Sequence, residues 1–150
     1  MADSFSETTL GRTGIPVHRL GMHTSGTIPV ELFEYAMERG VNYFYWGWAR
    51  DAGTFRDNFV QAFRNQSRIR DRLVLALWYW PTANSTTHRM VLKNLQTSYF
   101  DVMLISYQHV NPAILDTARK MKDAGIVRAI GITDRSLGHW APFPESWRVD

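Results

Sequence analysis

Aromatic side chains gather at two places where an apolar run gives way to a loop. The first is NYFYWGWARD, residues 42–51, and the second is LWYWP, residues 77–81. The aromatic residues at these run ends are Tyr45, Trp46, Trp48, Trp78, Tyr79 and Trp80. Their flat faces can stack on a flat ligand such as a nicotinamide, a flavin or a nucleobase. The alternative is that they fill the interior beneath the loops.

A proton donor can also be assembled from the first stretch. Tyr45 carries a phenol, and Arg50 follows five residues later. A guanidinium stays charged near neutral pH and would stabilise the phenolate, so Tyr45 could act as a general acid. The alternative is that Arg50 forms a surface ion pair with Asp51 or Asp57, which adds little stability.

Two further polar residues lie at the end of the apolar run DVMLISY, residues 101–107. Ser106 is followed three residues later by His109. A serine near a histidine suggests a hydrolase, but neither a nucleophile elbow nor an orienting acid accompanies them. The histidines show no HExxH or similar ligand spacing, so we expect no metal site. His109 then either lines a ligand site at the end of this apolar run or is an ordinary loop histidine.

The composition predicts one soluble domain spanning residues 1–150. Of the 150 residues, 45% are hydrophobic, which suffices for a single core. The chain has no cysteine, so disulfides are excluded and the cytoplasm is the expected location. The amino-terminal residues lack the pattern of a signal peptide, and the longest apolar run, residues 73–81, is too short to cross a bilayer. We expect no membrane partner.

The charge pattern predicts no nucleic-acid partner. The net charge is +3, and acidic and basic residues are mixed along the chain. One basic cluster, RNQSRIRDR at residues 64–72, stands apart. We interpret it as a solvated helix end and loop; the alternative is a contact with phosphate.

Helix and strand patterns alternate along most of the chain. Helical periodicity covers residues 31–40, 54–65, 87–100 and 111–125. Apolar runs typical of buried strands cover residues 41–47, 72–81, 101–107 and 127–133. Cap residues stand at the predicted helix ends: Thr54, Pro112, Gly40 and Gly125. Before the first helix, TTLGRTG and IPVHRLGM are typical of two short strands around a turn.

This alternation predicts an α/β fold with a parallel sheet. Right-handed crossovers would place every helix on the same face of that sheet. In a barrel of βα units the carboxyl edge is the functional mouth, and both aromatic stretches lie at that edge. The sequence therefore predicts a ligand site there.

The order of these segments resembles one family. LGRTGIPVHRLGM is similar to the amino-terminal hairpin and first barrel strand of aldo-keto reductases, and ERGVNYFYWG to their AGxNFFDTA segment. SYFDVMLISY resembles their YIDLYQLHW strand, and GIVRAIGIT their GKVRAIGVS strand. The resemblance implies a TIM barrel that binds NADP(H) at its mouth and passes hydride to an aldehyde or ketone. Five of the eight barrel strands are present, so we expect a partial barrel: an amino-terminal β-hairpin and five parallel strands with helices on the outer face.

The resemblance also implies where the chemistry would lie, and this sequence departs from the family there. Tyr45 holds the position of the family's aspartate, Arg50 that of its tyrosine, Trp78 that of its lysine and Ser106 that of its histidine. An arginine does not release a proton near neutral pH, and an indole carries no charge. We therefore expect the usual acid mechanism to be lost. If the alignment shifts after the fourth strand, His109 is the best surrogate for the family's histidine; otherwise it is a loop histidine.

The cofactor positions are partly kept. The resemblance places Thr133 and Asp134 where the family holds the nicotinamide carboxamide, and Thr24 at the threonine after the first strand. The family's phosphate-binding residues lie on later strands, beyond Asp150. NADP(H) is the cofactor that the resemblance implies.

An incomplete barrel predicts an exposed apolar face. The inner face should carry Tyr43, Tyr45, Val74, Ala76, Trp78, Val102, Leu104 and Ala129. Left open, it would exceed the roughly 400 Å² that a monomer tolerates. We expect one of three solutions: a longer chain, pairing with itself or with a complementing half barrel, or coverage by the apolar tail WAPFPESW.

Two functions follow from these observations. The first is an NADP(H)-linked oxidoreductase of altered mechanism, inactive as a standalone chain and completed by a further half. The second is a pseudoenzyme that binds a small molecule or a protein through the aromatic mouth. Fold alone does not decide between them.

Overall fold

The computed structural model describes residues 6–23, 28–47, 53–66, 69–79, 86–134 and 149–150. The strands are β1 (Glu7–Thr9), β2 (Pro16–His18), β3 (Gly21–His23), β4 (Tyr43–Trp46), β5 (Val74–Tyr79), β6 (Phe100–Ser106) and β7 (Val127–Thr133). The helices are α1 (Val30–Glu38), α2 (Gly53–Asn65), α3 (Thr86–Asn94) and α4 (Pro112–Asp123).

The five later strands form one parallel sheet in the order β3-β4-β5-β6-β7, and β1 pairs with β2 in an antiparallel hairpin. One helix separates each pair of successive sheet strands. The predicted α/β fold, a hairpin followed by five parallel strands, is confirmed. Within the described ranges β3 and β7 are the sheet's two edges, so the barrel is not closed.

The two faces of the sheet have separate cores. Strand alternation sends Phe44, Leu75 and Met103 to the face that packs against the helices. Phe59 of α2 is central on this side, with ring centroids 5.1 Å from Phe44 and 5.4 Å from Phe33. Offset and edge contacts between such rings stabilise a core beyond their buried area.

The hairpin covers the amino-terminal half of the other face. Ile15 and Val17 form one buried cluster with the inner residues Val74, Ala76, Val102 and Ala129. The expectation that this whole face would be open is therefore wrong for its lower half, because the hairpin folds across it. The tail WAPFPESW lies outside the described residues.

Asn42 fixes the hairpin to the sheet. Its side-chain oxygen accepts the His18 N–H at 2.7 Å, and its amide group donates to the Pro16 carbonyl at 3.1 Å. Its own carbonyl accepts the Val74 N–H at 2.7 Å. One side chain therefore satisfies the backbone of β2 in the way a neighbouring strand would.

Helix ends follow the predicted caps with two corrections, and a third correction concerns the strands before the first helix. Asn111 caps α4 by accepting the Ile114 N–H, Pro112 begins that helix, and Gly40 and Gly125 have the positive φ predicted for them. The third helix stops at Asn94, because Gln96 adopts φ 50° and breaks the pattern predicted to reach residue 100. The second helix begins at Gly53, so Thr54 lies inside it. IPVHRLGM forms two strands, β2 and β3.

A buried charge network ties the base of the sheet together. Asp101 is 1% exposed and faces the helices, with Arg70 2.9 Å and Arg128 3.0 Å from its carboxylate oxygens. The Leu75 N–H also donates to it at 2.9 Å. Arg70 lies over the Tyr99 ring at 3.9 Å. The interpretation of residues 64–72 as a solvated helix end and loop is therefore wrong for Arg70, because its guanidinium forms an ion pair with the buried Asp101.

Replacing Arg70 by alanine should destabilise the protein by about 3 kcal/mol, because removing one partner of a buried pair leaves a charge uncompensated. The free energy of unfolding in urea measures this. Arg128→Ala is the matched control, since its side chain is 57% exposed and its loss should cost less than about 1 kcal/mol. Equal losses in the two variants would contradict the network described here.

Candidate functional site

The carboxyl half of the inner face, which the hairpin leaves uncovered, forms a cavity of about 680 Å³. Residues of the hairpin and of strands β3 to β7 line it. The sequence-derived candidates among them are Tyr45, Trp78, Ser106, Thr133 and Asp134. Its size lies within the range of small-molecule sites.

Strand register explains why these residues meet. Trp78 pairs with Leu104, Leu104 with Gly131, and Ser106 with Thr133. Because paired residues of a parallel sheet point to the same face, side chains predicted from separate segments share one wall. Gly131 lets the Leu104 side chain pack closely on β7, since a Cβ added there would be 2.8 Å from Leu104 Cδ2.

Fewer of the six aromatic residues at the run ends line the cavity than the stacking hypothesis requires. Trp46 faces the helices, with its ring 5.9 Å from that of Phe59, and Tyr79 packs against the cluster beneath α4. The alternative that they fill the interior holds for both, because each neighbours an inward residue and so points outward. Trp48 and Trp80 lie outside the described residues.

His23 and Tyr43 complete the aromatic wall, and neither was predicted as a site residue. His23 pairs with Tyr45 across β3 and β4, and their ring centroids are 4.7 Å apart at 42°. The signal that could have found His23 is its position at the end of the first sheet strand. Its imidazole lies against the Tyr45 ring at the cavity wall.

Tyr43 forms the floor of the cavity. Its ring lies over Gly21, where an added Cβ would be 2.7 Å from Cδ1 of that ring. The absence of a side chain at Gly21 therefore permits this packing. Burial raises the pKa of Tyr43 above its usual value, because the phenolate would lose solvation. The hydroxyl therefore stays protonated over the physiological range.

The remaining predicted residues are placed differently. His109 lies in the short helical turn Tyr107–His109 after β6 and does not line the cavity. Arg50 and Thr24 lie outside the described residues. The ionisable residues of the lining, Tyr43 and Tyr45 apart, are Asp134, Arg19, His18 and His23, and the described lining contains no lysine. His18 uses its Nδ1 to accept the Leu20 N–H at 3.0 Å.

The described residues were also compared with the requirements of a metal site and of a membrane-spanning helix, and they meet neither. Among the described residues, no group of three or more histidine, aspartate or glutamate side chains could hold a metal ion. No helix within the described ranges has the length and apolar character needed to cross a membrane.

No protein-family model matches the sequence, and neither does a curated protein. Solved structures do match. The holo form of an aldo-keto reductase from Bacillus halodurans superposes with a TM-score of 0.69 over 87% of this chain, at 18% identity. This chain has the fold of the amino-terminal part of an aldo-keto reductase.

Two further aldo-keto reductases are similar to it. One from Brucella melitensis has a TM-score of 0.67 over 90% of this chain at 18% identity. A thermostable aldo-keto reductase in complex with the inhibitor epalrestat has a TM-score of 0.67 over 84% of this chain at 26% identity. The matches cover only 51%, 56% and 53% of the three relatives, so the chain spans about half of an aldo-keto reductase.

The burial of Tyr43 predicts a loss of stability at high pH. A group whose pKa is raised by folding holds its proton more tightly in the folded state. Its contribution is complete below the unfolded pKa of about 10 and is lost as pH rises through the folded pKa. Tyr43→Phe should therefore lose less stability than the wild type above pH 10, measured by urea unfolding across an alkaline series.

Tyr35→Phe is the control for this series, because Tyr35 is exposed on α1. It should follow the wild-type curve. If Tyr43→Phe instead loses stability with the wild-type slope, burial of the Tyr43 phenol is not the cause.

Proposed function

We propose that the cavity binds the nicotinamide end of NADP(H), on an aldo-keto-reductase-like scaffold whose proton donor differs from that of the family. The observation that carries this proposal is the convergence of Tyr45, Trp78, Ser106, Thr133 and Asp134 on one cavity. The similarity to a holo aldo-keto reductase supports the choice of cofactor class.

The side chains present fit a nicotinamide. Tyr45 and Trp78 offer flat faces for stacking on its ring. The hydroxyl groups of Ser106 and Thr133 can donate to the carboxamide oxygen, and the Asp134 carboxylate can accept from the carboxamide N–H₂. These groups would hold the ring at the carboxyl edge of the sheet.

When bound, NADPH would supply hydride to the carbonyl carbon of an aldehyde or ketone and would leave as NADP+. The chain must then deliver a proton to the carbonyl oxygen. The rings of Tyr45 and His23 lie side by side at the cavity wall, with centroids 4.7 Å apart. The Tyr45 hydroxyl and the His23 imidazole are the donors we assign to this role. Leu104 and Met22 line the same cavity and would exclude water from it.

The second candidate function is non-catalytic binding of a flat ligand. The observation that favours it is Trp78, an indole where the family's lysine is expected, in a described lining without lysine. No ammonium is then at hand to stabilise a phenolate, while the aromatic surface remains. NADP(H) or another flat ligand would bind without turnover.

Partner strands belong to the same proposal. In the described residues β3 and β7 each have a sheet neighbour on one side only. A second copy of the chain, a complementing half barrel or a further segment would supply the remaining wall of the site. The activity therefore belongs to the completed assembly.

Titration with NADPH should quench the tryptophan fluorescence of the wild-type chain in a saturable way. Trp78→Ala should weaken binding about tenfold, because loss of one aromatic stacking partner costs on the order of 1–3 kcal/mol. Trp46→Phe is the control. This tryptophan faces the helices, so its replacement should leave the affinity for NADPH unchanged.

Turnover separates the two candidate functions. Saturable binding with consumption of NADPH in the presence of an aldehyde supports the oxidoreductase. Binding without turnover in an assembly whose light-scattering mass shows that a second half is present supports the non-catalytic ligand site, because the oxidoreductase is expected to be inactive as a standalone chain. A folded chain that does not bind NADPH at all contradicts the proposed cofactor.

A further inference from the structure

Asp150 bonds the middle of β7 from a position 20 residues later in the sequence. The Asp150 N–H donates to the Ile130 carbonyl at 3.1 Å, and the Ile130 N–H donates to Asp150 Oδ2 at 2.9 Å. One residue therefore satisfies both backbone polar groups of Ile130. Half of this pairing depends on the Asp150 side chain, so a substitution can remove it.

Two other elements hold the same end of the chain. Lys122 Nζ of α4 lies 2.6 Å from both carboxylate oxygens of Asp150. The Arg12 guanidinium, in the turn of the hairpin, donates to the Val149 carbonyl. We call the contacts of Val149 and Asp150 with Ile130, Lys122 and Arg12 the clasp. The clasp joins β7, α4 and the hairpin.

The clasp carboxylate is charged at neutral pH. Partial burial raises the pKa of Asp150, but hydrogen bonds from Lys122 and Ile130 and the charges of Lys122 and Arg12 outweigh this, so the pKa lies below its usual value. The small cavity of about 440 Å³ beside the clasp is lined by three basic side chains, those of Arg12, Arg119 and Lys122. The ion pair of Asp150 is therefore formed under physiological conditions.

The clasp contacts two structures that also line the proposed nicotinamide cavity. Thr133 and Asp134 follow Ile130 by three and four residues on β7 and its end, and both line the cavity. The hairpin, whose turn contains Arg12, contributes further lining residues. The clasp therefore fixes the position of one cavity wall relative to another.

The packing next to Ile130 leaves little freedom for β7 to shift. Gly131 follows Ile130, and its backbone lies so close to Leu104 that a Cβ added there would be 2.8 Å from Leu104 Cδ2. Leu104 itself lines the cavity. Because close-packed interiors transmit strain, a displacement of β7 has to be taken up by Leu104 and by the residues after Gly131. Loosening the clasp therefore changes the wall of the cavity as well as the edge of the sheet.

We propose that Asp150 is a positioning residue for the cavity, holding β7 against the hairpin so that Thr133 and Asp134 can bind a nicotinamide carboxamide. The identity of this ligand rests on the proposed function. Asp150 is not among the residues that line the cavity, so it acts through Ile130 and not by contact with the ligand.

Asp150→Ala in the full chain removes the acceptor of the Ile130 N–H and the ion pair with Lys122. It should weaken NADPH binding about fivefold, since substitutions that couple to a site without touching the ligand change affinity on this order. Titration of tryptophan fluorescence measures this loss. Asp150→Asn keeps an oxygen acceptor for the Ile130 N–H and should recover part of the affinity.

A double-mutant cycle shows whether Asp150 acts through the β7 wall. Thr133→Val removes a hydroxyl that Asp150 would position. In that background Asp150→Ala has less left to affect, so the double variant should lose clearly less affinity than the product of the two single losses. A general loosening of the fold would instead give losses that multiply.

Asp116→Ala is the matched control. Asp116 also forms an ion pair on α4, with Lys120 at 2.8 Å, and its side chain is 60% exposed. Its removal should leave the affinity for NADPH unchanged, because Asp116 makes no contact in the clasp.

Amide hydrogen exchange without NADPH separates this inference from the proposed function. In Asp150→Ala the amides of Ile130 and Thr133 should exchange about tenfold faster than in the wild type, because β7 opens more often once a hydrogen bond is lost. Unchanged exchange at Thr133, unchanged NADPH affinity in folded Asp150→Ala, or multiplying losses in the cycle overturns the positioning role. If the wild type does not bind NADPH, the proposed cofactor fails, and faster exchange at Thr133 in Asp150→Ala but not in Asp116→Ala still supports the hold of Asp150 on the wall.

Discussion

A parallel sheet has to be covered on both faces, and the rest of this structure depends on how the inner face is covered. The helices cover the outer face. The hairpin, fixed by the Asn42 side chain, covers only the amino-terminal half of the inner face. The carboxyl half is left as a cavity, and Tyr45, Trp78, Ser106, Thr133 and Asp134 are among the residues that line it.

The side chains at the two ends of the sheet therefore differ in what they contact. At the base, Asp101 is buried and fully engaged by Arg70, Arg128 and a backbone N–H, which stabilises the fold but leaves no group for a ligand. At the mouth, Tyr45 and Trp78 are only partly buried and remain accessible from the cavity. This division matches the general rule that stability lies at the amino-terminal end of a barrel and function at the carboxyl end.

Much of the fold could be predicted because local signals agreed with each other. Apolar runs and cap residues such as Pro112 and Gly125 indicated the strands and helices, and alternation placed Tyr45 and Trp78 on one face. Ser106 and Thr133 were indicated by the family resemblance. For Trp46 and Tyr79 the same alternation favours the interior, where the structure places them. The burial of Arg70 depends on Asp101, which is distant in sequence, and no local pattern indicates it. The same holds for the hairpin, whose packing against the inner face no local pattern indicates.

The most direct test of this account is to map the backbone amides of the chain by NMR while NADPH is added. The account predicts shifts at His23, Trp78, Thr133 and Asp134, around the cavity. It predicts none at Leu115 and Ala118, which lie beneath α4 on the outer side of the sheet. Shifts confined to the helical side, or no shifts in a folded protein at saturating NADPH, would contradict a nicotinamide site at this edge.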